Sequence, residues 1–422
     1  MPAKKKKEYD LIVFGASSFV GEILTRYLAQ TYGLDGELKW AIAGRSERKL
    51  QQVRGTLAPV LGSDAKNVEI LLADASDETA LQQLTEQTKV IVSTVGPYAL
   101  YGETLVKVCA ENGTDYCDLT GEAQWIKRML EKYEAKAQQS GARIVHCCGF
   151  DSVPSDMGVY FLQQQAEQEF GSMAERIKMR VKAAKGGMSG GTIASIINLT
   201  KEAVANPSLR KELADPYSIC PPGSGFSARQ PNIKGAVMDN DFKSWATPFI
   251  MAAINTRVVH RSNALRDKAY GENFIYDEAM LTGKGLKGRM TAMAVVAGLA
   301  AFMAGAVVKP TRWLLENYVL PKPGEGPTPK QQEEGFYDIR FKGFLNDGRI
   351  IVTKVTGDRD PGYGSTAKVL GQAAVSLALD FHTGTRKKGK KGGFWTPASI
   401  FDERYIQRLR DHAGVAFEVL EK

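Results

Sequence analysis

Short apolar runs alternate with amphipathic stretches along the first third of the chain. Tyr9–Phe14 reads as a strand, and the segment after it carries Val20, Ile23, Leu24, Tyr27 and Leu28 on one helical face. Further apolar runs follow at Lys39–Ala43, Val68–Leu72, Val90–Ser93, Asp115–Asp118 and Arg143–His146. Between them, 79–88, 104–112 and 122–140 have helical spacing. Short strands alternating with helices predict an α/β domain built on a doubly wound parallel sheet. Such sheets bind ligands beyond the carboxyl ends of their strands.

From Ser152 the rhythm changes. Arg176–Ala183 alternates like a strand, and a glycine stretch, Gly186–Gly191, leads into a helix from Thr192. Residues 206–240 are rich in Pro, Gly and polar side chains and are expected to be irregular. Phe336–Phe344 and Arg349–Thr356 flank Asn346-Asp347-Gly348, which predicts a β-hairpin. Tyr363–Leu379 reads as a helix. The expected organisation is a dinucleotide-binding (Rossmann) domain at 1–150 and a mixed α+β substrate or dimerisation domain at 151–360. C-terminal helices at 361–422 are placed to return to the first domain. No internal repeat is evident.

The turns carry the chemistry. Gly15-Ala16-Ser17-Ser18-Phe19-Val20-Gly21 joins the first strand to the first helix, where glycines let a pyrophosphate approach the backbone. The helix N-terminus adds free N–H groups and a positive dipole end. The usual pattern has a glycine where Ser18 stands. The second strand ends in Gly44-Arg45-Ser46 rather than in the acidic residue that accepts an NAD ribose hydroxyl. A guanidinium pairs with a 2′-phosphate through its planar fork. The expected cofactor is therefore NADP(H) rather than NAD(H), with Arg45 and Ser46 at the phosphate. The bland alternative is an exposed arginine at a helix start. Asp74, ending the third strand, is a candidate for the adenine amino group or for a cap on the next turn. Thr94, Val95, Gly96 and Pro97, after the fourth strand, are expected beside the nicotinamide ribose.

One segment fits neither domain. Met290–Val308 is 19 residues without a charge, seven of them alanine and two glycine, bracketed by Arg289 and Lys309. Its length just reaches that of a spanning helix, but alanine contributes little to insertion. Three placements fit: a buried or dimer-packing helix, a helix set into a membrane surface, and a full span. Trp245, Trp313 and Tyr318 suit either an interface or a core.

Composition narrows the partners. The chain has 422 residues and a net charge of +8, with basic runs at 4–7 and 386–391. These suit an anionic ligand, a membrane face or plain solvent. Nothing resembles a nucleic-acid motif, so nucleic acid is not an expected partner. Cys109, Cys117, Cys147, Cys148 and Cys220 match no zinc spacing and the histidines are scattered, so no metal is expected. No apolar core follows the first residues, so no secretory leader is expected and the thiols are read as reduced. That implies a cytoplasmic location, peripheral on the inner membrane if 290–308 is an anchor.

Five motifs together resemble the saccharopine dehydrogenase-like oxidoreductases, and within them the trans-acting enoyl reductases. They are Gly15–Gly21, Ala43–Ser46, Ser93–Tyr98, Tyr116–Glu122 and Gly149–Asp156, with looser likeness at Gly186–Thr192 and Gly357–Gly364. The resemblance implies an NAD(P)-dependent oxidoreductase acting on a lipid-like substrate, with membrane or lipid association. The reaction expected is reduction of an enoyl or other lipid-linked group. Two alternatives stay open: a C–N oxidoreductase, and a nucleotide-binding, membrane-associated protein without catalysis. Such a reduction needs a proton beside the hydride. Tyr98 and Asp151 are the candidate donors because both follow strand ends. Tyr98 could instead only stack, and Asp151 could instead cap the helix beginning near Ser155. His146 reads as a core histidine with its hydrogen bonds satisfied.

Overall fold

The computed structural model describes residues 7–186, 190–307, 309–314, 326–382 and 390–422. The basic runs fall largely outside these residues, as do 187–189 of the glycine stretch, Val308 and Tyr318. The chain forms two compact units, one of 1–150 with Tyr363–Ala413, the other of Asp151–Gly362 with Gly414–Lys422. Only strands and the longer helices are numbered below.

The first unit holds β1 (Tyr9–Phe14), β2 (Trp40–Gly44), β3 (Ile70–Leu72), β4 (Thr88–Ser93), β5 (Asp115–Asp118), β6 (Arg143–Val145) and β13 (Gly393–Trp395). They form one sheet in the order β13-β6-β5-β4-β1-β2-β3, and every pairing is parallel. The strand order reverses between β1 and β4, which is where such sheets bind ligands. Leu11, Ile12, Val13, Ile42, Ile91 and Val92 are fully buried, as befits strands covered on both faces.

The helices of this unit are α1 (Phe19–Tyr32), α2 (Glu47–Gly55), α3 (Glu78–Gln87), α4 (Glu103–Asn112) and α5 (Ala123–Ser140). Later in the chain come α10 (Thr366–Val375) and α11 (Glu403–Ala413). Side chains cap α1, α2 and α3 through Ser18, Ser46 and Asp77. Left-handed Gly113 and Gly141 end α4 and α5, where a side chain would be strained.

The second unit holds α6 (Val153–Phe170), β7 (Arg176–Lys185), α7 (Gly190–Ala205), β8 (Val237–Asp239), β9 (Ser244–Thr247) and α8 (Ala252–Leu265). It continues with β10 (Ile275–Gly283), α9 (Gly285–Val307), β11 (Phe336–Phe344), β12 (Ile350–Gly357) and β14 (Val415–Glu421). Its sheet runs β14-β12-β11-β7-β10-β9-β8. Among the described residues of this sheet, β10 and β7 alone pair in parallel. The predicted hairpin is present as β11 and β12, registered from Tyr337–Gly357 to Phe344–Ile350.

Some expectations need correction. Residues 206–240 contain a helical turn, Pro207–Glu212, and β8. The single helix read over 363–379 is α10 between two wider turns at Pro361–Ser365 and Ser376–Asp380. Residues 361–422, read as helices, also supply β13 and β14. The three residues of β13 show no alternation at all, since strand and loop look alike at that length.

Candidate cofactor site

Six loops gather at the carboxyl ends of β1 to β6. The first is closed by a chain of hydrogen bonds. The Gly21 amide donates to Ser18 Oγ at 3.0 Å. Ser18 Oγ and Thr94 Oγ1 lie 2.9 Å apart, and Thr94 Oγ1 donates to the Gly15 carbonyl at 2.9 Å. With Ser18 donating to Thr94, every hydroxyl proton has one acceptor. Ser18 thus replaces the usual glycine by serving as the N-cap of α1. The same bonds tie the β1 loop to the β4 loop across the point where strand order reverses.

Two glycines are irreplaceable here. Gly15 has φ +87°, and a Cβ on it would lie 2.6 Å from Val95 Cγ2. A Cβ on Gly21 would lie 2.2 Å from the Gly15 carbonyl oxygen. Those contacts set α1 hard against the turn. Among the described residues, the amides of Ser17, Phe19 and Val20 donate to no protein acceptor. Three outward amides at a helix start form a cradle for an anion, so the residues present fit a pyrophosphate.

At the end of β2, Arg45, Arg48 and Lys49 are exposed. Ser46 caps α2 through the Lys49 amide, at 3.5 Å. Asp74, at the end of β3, accepts from the Ser76 amide at 2.9 Å and the Ser76 hydroxyl at 2.7 Å. Those bonds hold its carboxyl below the usual carboxylate range, and Arg45 adds a smaller pull. Asp74 therefore braces its own turn, while the cap of α3 is Asp77.

Buried polar groups fix the remaining loops. Both Glu122 oxygens accept backbone amides, Tyr98 at 2.9 Å and Ala99 at 3.0 Å. The carboxylate thereby holds the helical turn that follows Gly96-Pro97. Tyr98 is 4% exposed; its hydroxyl donates to the Ser93 carbonyl at 2.9 Å and receives the Leu119 amide at 3.4 Å. Burial, then Asp118, pushes that phenol well above its ordinary range. Its ring lies against Trp125, with centroids 5.5 Å apart.

Asp118 was not anticipated as a hub. It accepts from the Tyr116 hydroxyl at 3.0 Å, the Thr120 amide at 3.1 Å and the Cys147 amide at 3.2 Å. It also bonds His146 Nδ1 at 2.7 Å. Cys147 has φ +62°, a strained value for a side-chain-bearing residue, and the bond its amide donates to Asp118 helps hold it. His146 is half satisfied rather than fully satisfied, because its buried Nε2 has no partner. The Asp118-Leu119-Thr120-Gly121-Glu122 stretch and His146 were visible in the sequence, but only distances across β5 and β6 reveal their pairing.

Asp151 opens the second unit, directly after the β6 loop. It is partly exposed and has no hydrogen-bond or ionic partner among the described residues. Burial alone pushes its carboxyl up to about 6. It does not cap α6, whose N-cap residue Ser152 makes no side-chain cap bond.

Residues 11–145 match the saccharopine dehydrogenase NADP-binding domain family. Over 421 residues the chain is 38% identical to a Mycobacterium tuberculosis protein named as a candidate trans-acting enoyl reductase, covering 98% of this chain and 97% of that one. A trans-acting enoyl reductase of Mycobacterium ulcerans is 33% identical over 424 residues, with 96% of each chain covered. Apo saccharopine dehydrogenase (L-Glu forming) of Saccharomyces cerevisiae has the same fold, with a TM-score of 0.50 at 12% identity over 97% of this chain and 99% of that one. The cofactor is NADP(H), and the protein is an NAD(P)-dependent oxidoreductase. From the strand order, the closed glycine turn and these full-length likenesses, the chain belongs to the trans-acting enoyl reductases of the saccharopine dehydrogenase-like family.

Proposed function

We propose that this protein reduces the activated double bond of an enoyl group carried on a lipid-like substrate. The support is likeness along nearly the whole chain, second unit included, to proteins named trans-acting enoyl reductases. Bound NADPH supplies the hydride; the residues of this chain bind, orient and protonate. The Ser17, Phe19 and Val20 amides hold the pyrophosphate. Arg45, beside Ser46, takes the 2′-phosphate, and the second Asp74 oxygen faces the adenine. Gly96 and Pro97 line the ribose, positioned by Thr94, Val95, Tyr98 and Glu122. With its one proton given to Ser93, Tyr98 is a positioning residue. Asp151 is the proton donor, because a carboxyl raised to about 6 keeps a proton through the mildly acidic range where an ordinary carboxyl has lost it. The second unit takes the substrate.

The test offers purified protein an α,β-unsaturated acyl thioester with NADPH and follows loss of reduced nicotinamide. Turnover with a saturated acyl product supports the reading. Turnover only of amino-acid substrates with NADP+ would replace it by C–N oxidation. Cofactor binding without turnover of either would leave a nucleotide-binding protein.

A further inference from the structure

The apolar helix α9 is pinned at its start and open along its length. A Cβ on Gly288 would lie 2.1 Å from the Gly283 carbonyl oxygen. Thr282 Oγ1 donates to the Gly288 carbonyl at 2.9 Å. These contacts seat the first turn of α9 on the end of β10. Gly288, Ala292 and Ala306 are buried and Val295, Val296, Leu299 and Phe302 half-buried, so one face lies toward the unit. The other face shows Leu286, Met290, Met293, Met303 and Val307, between 45% and 71% exposed. No charge occurs on α9 after Arg289. A helix with this much uncovered apolar surface requires a covering.

Topology removes a full span. α9 leaves β10 and the chain re-enters the same sheet at β11. One crossing would place those strands on opposite sides of a bilayer. A second crossing needs another apolar stretch, but Lys309, Arg312, Glu316, Lys322 and Glu325 interrupt the return. A second copy fits poorly as the cover. A helix face ~34 Å long and ~10 Å wide buries about 700 Å² between two copies, short of the roughly 1,200 Å² of a stable interface. Charge favours a lipid surface: Lys284, Lys287 and Arg289 are exposed around the first turn, and Lys309 and Arg312 follow the last. Cations flanking an apolar face are the pattern of a helix lying among anionic headgroups.

We propose that α9 is an interfacial membrane helix, lying along one leaflet of an anionic bilayer. Its Met290–Val307 face enters the acyl boundary, with the Lys284, Lys287 and Arg289 cations among the headgroups. The placement does not depend on the reaction catalysed.

The test is flotation of the full-length protein with vesicles of phosphatidylcholine alone, or of equal parts phosphatidylcholine and phosphatidylglycerol. The protein is expected to float with the anionic vesicles. M290E/M293E/M303E, altering exposed positions only, is expected to stay in solution. K284Q/K287Q is expected to partition roughly 10-fold or more weakly. Unchanged NADPH binding and thermal melting certify that the variants fold. The proposal falls if the wild-type protein ignores both vesicles, or if M290E/M293E/M303E floats equally well. It also falls if light scattering shows a dimer that M290E/M293E/M303E dissociates while no form floats, which would assign the face to a second copy.

Discussion

The two sheets have equal strand counts and opposite uses of buried charge. In the first unit one ion pair, Asp115 with Arg143 at 2.6 Å, joins the starts of β5 and β6, but the buried acids at and after the strand ends accept backbone amides: Glu122 holds Tyr98 and Ala99, and Asp118 holds Thr120 and Cys147. They shape loops for a ligand that arrives from outside. In the second unit, charge sits inside the sheet and satisfies itself. Arg180 bridges Asp239 at 2.7 Å and Asp277 at 2.6 Å. Glu278 accepts from the Tyr276 hydroxyl at 2.6 Å and from Asn255 Nδ2 at 3.0 Å. Apart from that pair at the strand starts, the parallel sheet with apolar strands leaves its polar work to the loops. A mixed sheet with charged interior positions spends its polar groups on its own pairing.

The sharpest way to break this comparison is Gly21→Ala. Its methyl would sit against the Gly15 carbonyl, opening the turn that the Ser18–Thr94 chain closes. NADPH affinity should fall by ~10³-fold or more, comparable to overpacking a rigid site by several kcal/mol. Fluorescence titration checks this, and circular dichroism confirms the fold. Retained affinity would mean the glycine turn does not hold the cofactor. Asp151→Asn tests the junction between the two patterns. Turnover should drop ~10²–10⁴-fold with NADPH binding unchanged. Wild-type turnover should fall as pH rises above about 6, since an acid must be protonated to donate. A variant with wild-type turnover or the same pH limb would remove Asp151 as donor.

The first unit was legible because its strands are short, apolar and separated by turn signals. Tyr9–Phe14 and Asp115–Asp118 coincide with the observed strands. Arg45 and the glycine turn could be read because their meaning is local. The second unit resisted reading for the opposite reason. In β10, Asp277 and Glu278 are consecutive buried charges, which no alternation rule assigns to a sheet interior. Arg180, Asp239 and Asp277 lie far apart in sequence, and only the pairing of β7 with β10, β10 with β9 and β9 with β8 brings them together. Ser18 sits between these cases. Its departure from glycine and its place as an N-cap were visible, but its tie to the β4 loop needed Thr94, 76 positions away.

Glu278 turns the buried-charge half of the comparison into a pH measurement. Burial raises its carboxyl from an ordinary 4.5 to about 7 in the folded chain. Between those values the folded state holds a proton that the unfolded state releases. Its contribution to stability is therefore complete below about pH 4.5 and is lost as pH rises through about 7. Denaturant melts should show the difference between wild type and Glu278→Gln changing by on the order of 3 kcal/mol from about pH 4.5 to about pH 8. The variant becomes relatively more stable at the upper end. A constant difference would show that Glu278 is ionised and paired at every pH.

Arg45→Ala gives the smallest effect and separates the two patterns most cleanly. The side chain is exposed, so screening limits a guanidinium–phosphate bond to the lower part of its 1.5–3 kcal/mol range, about 10–30-fold in affinity. Only a cofactor bearing the 2′-phosphate should feel it. NADPH affinity should drop by that factor, NADH affinity should change less than ~2-fold, and the loss should shrink as salt is raised. The Glu278 pH response should be untouched, because sites that share no partners act independently. An equal loss for both cofactors would mean Arg45 supports the loop rather than reading the phosphate, and cofactor choice would then rest on Arg48 or Lys49.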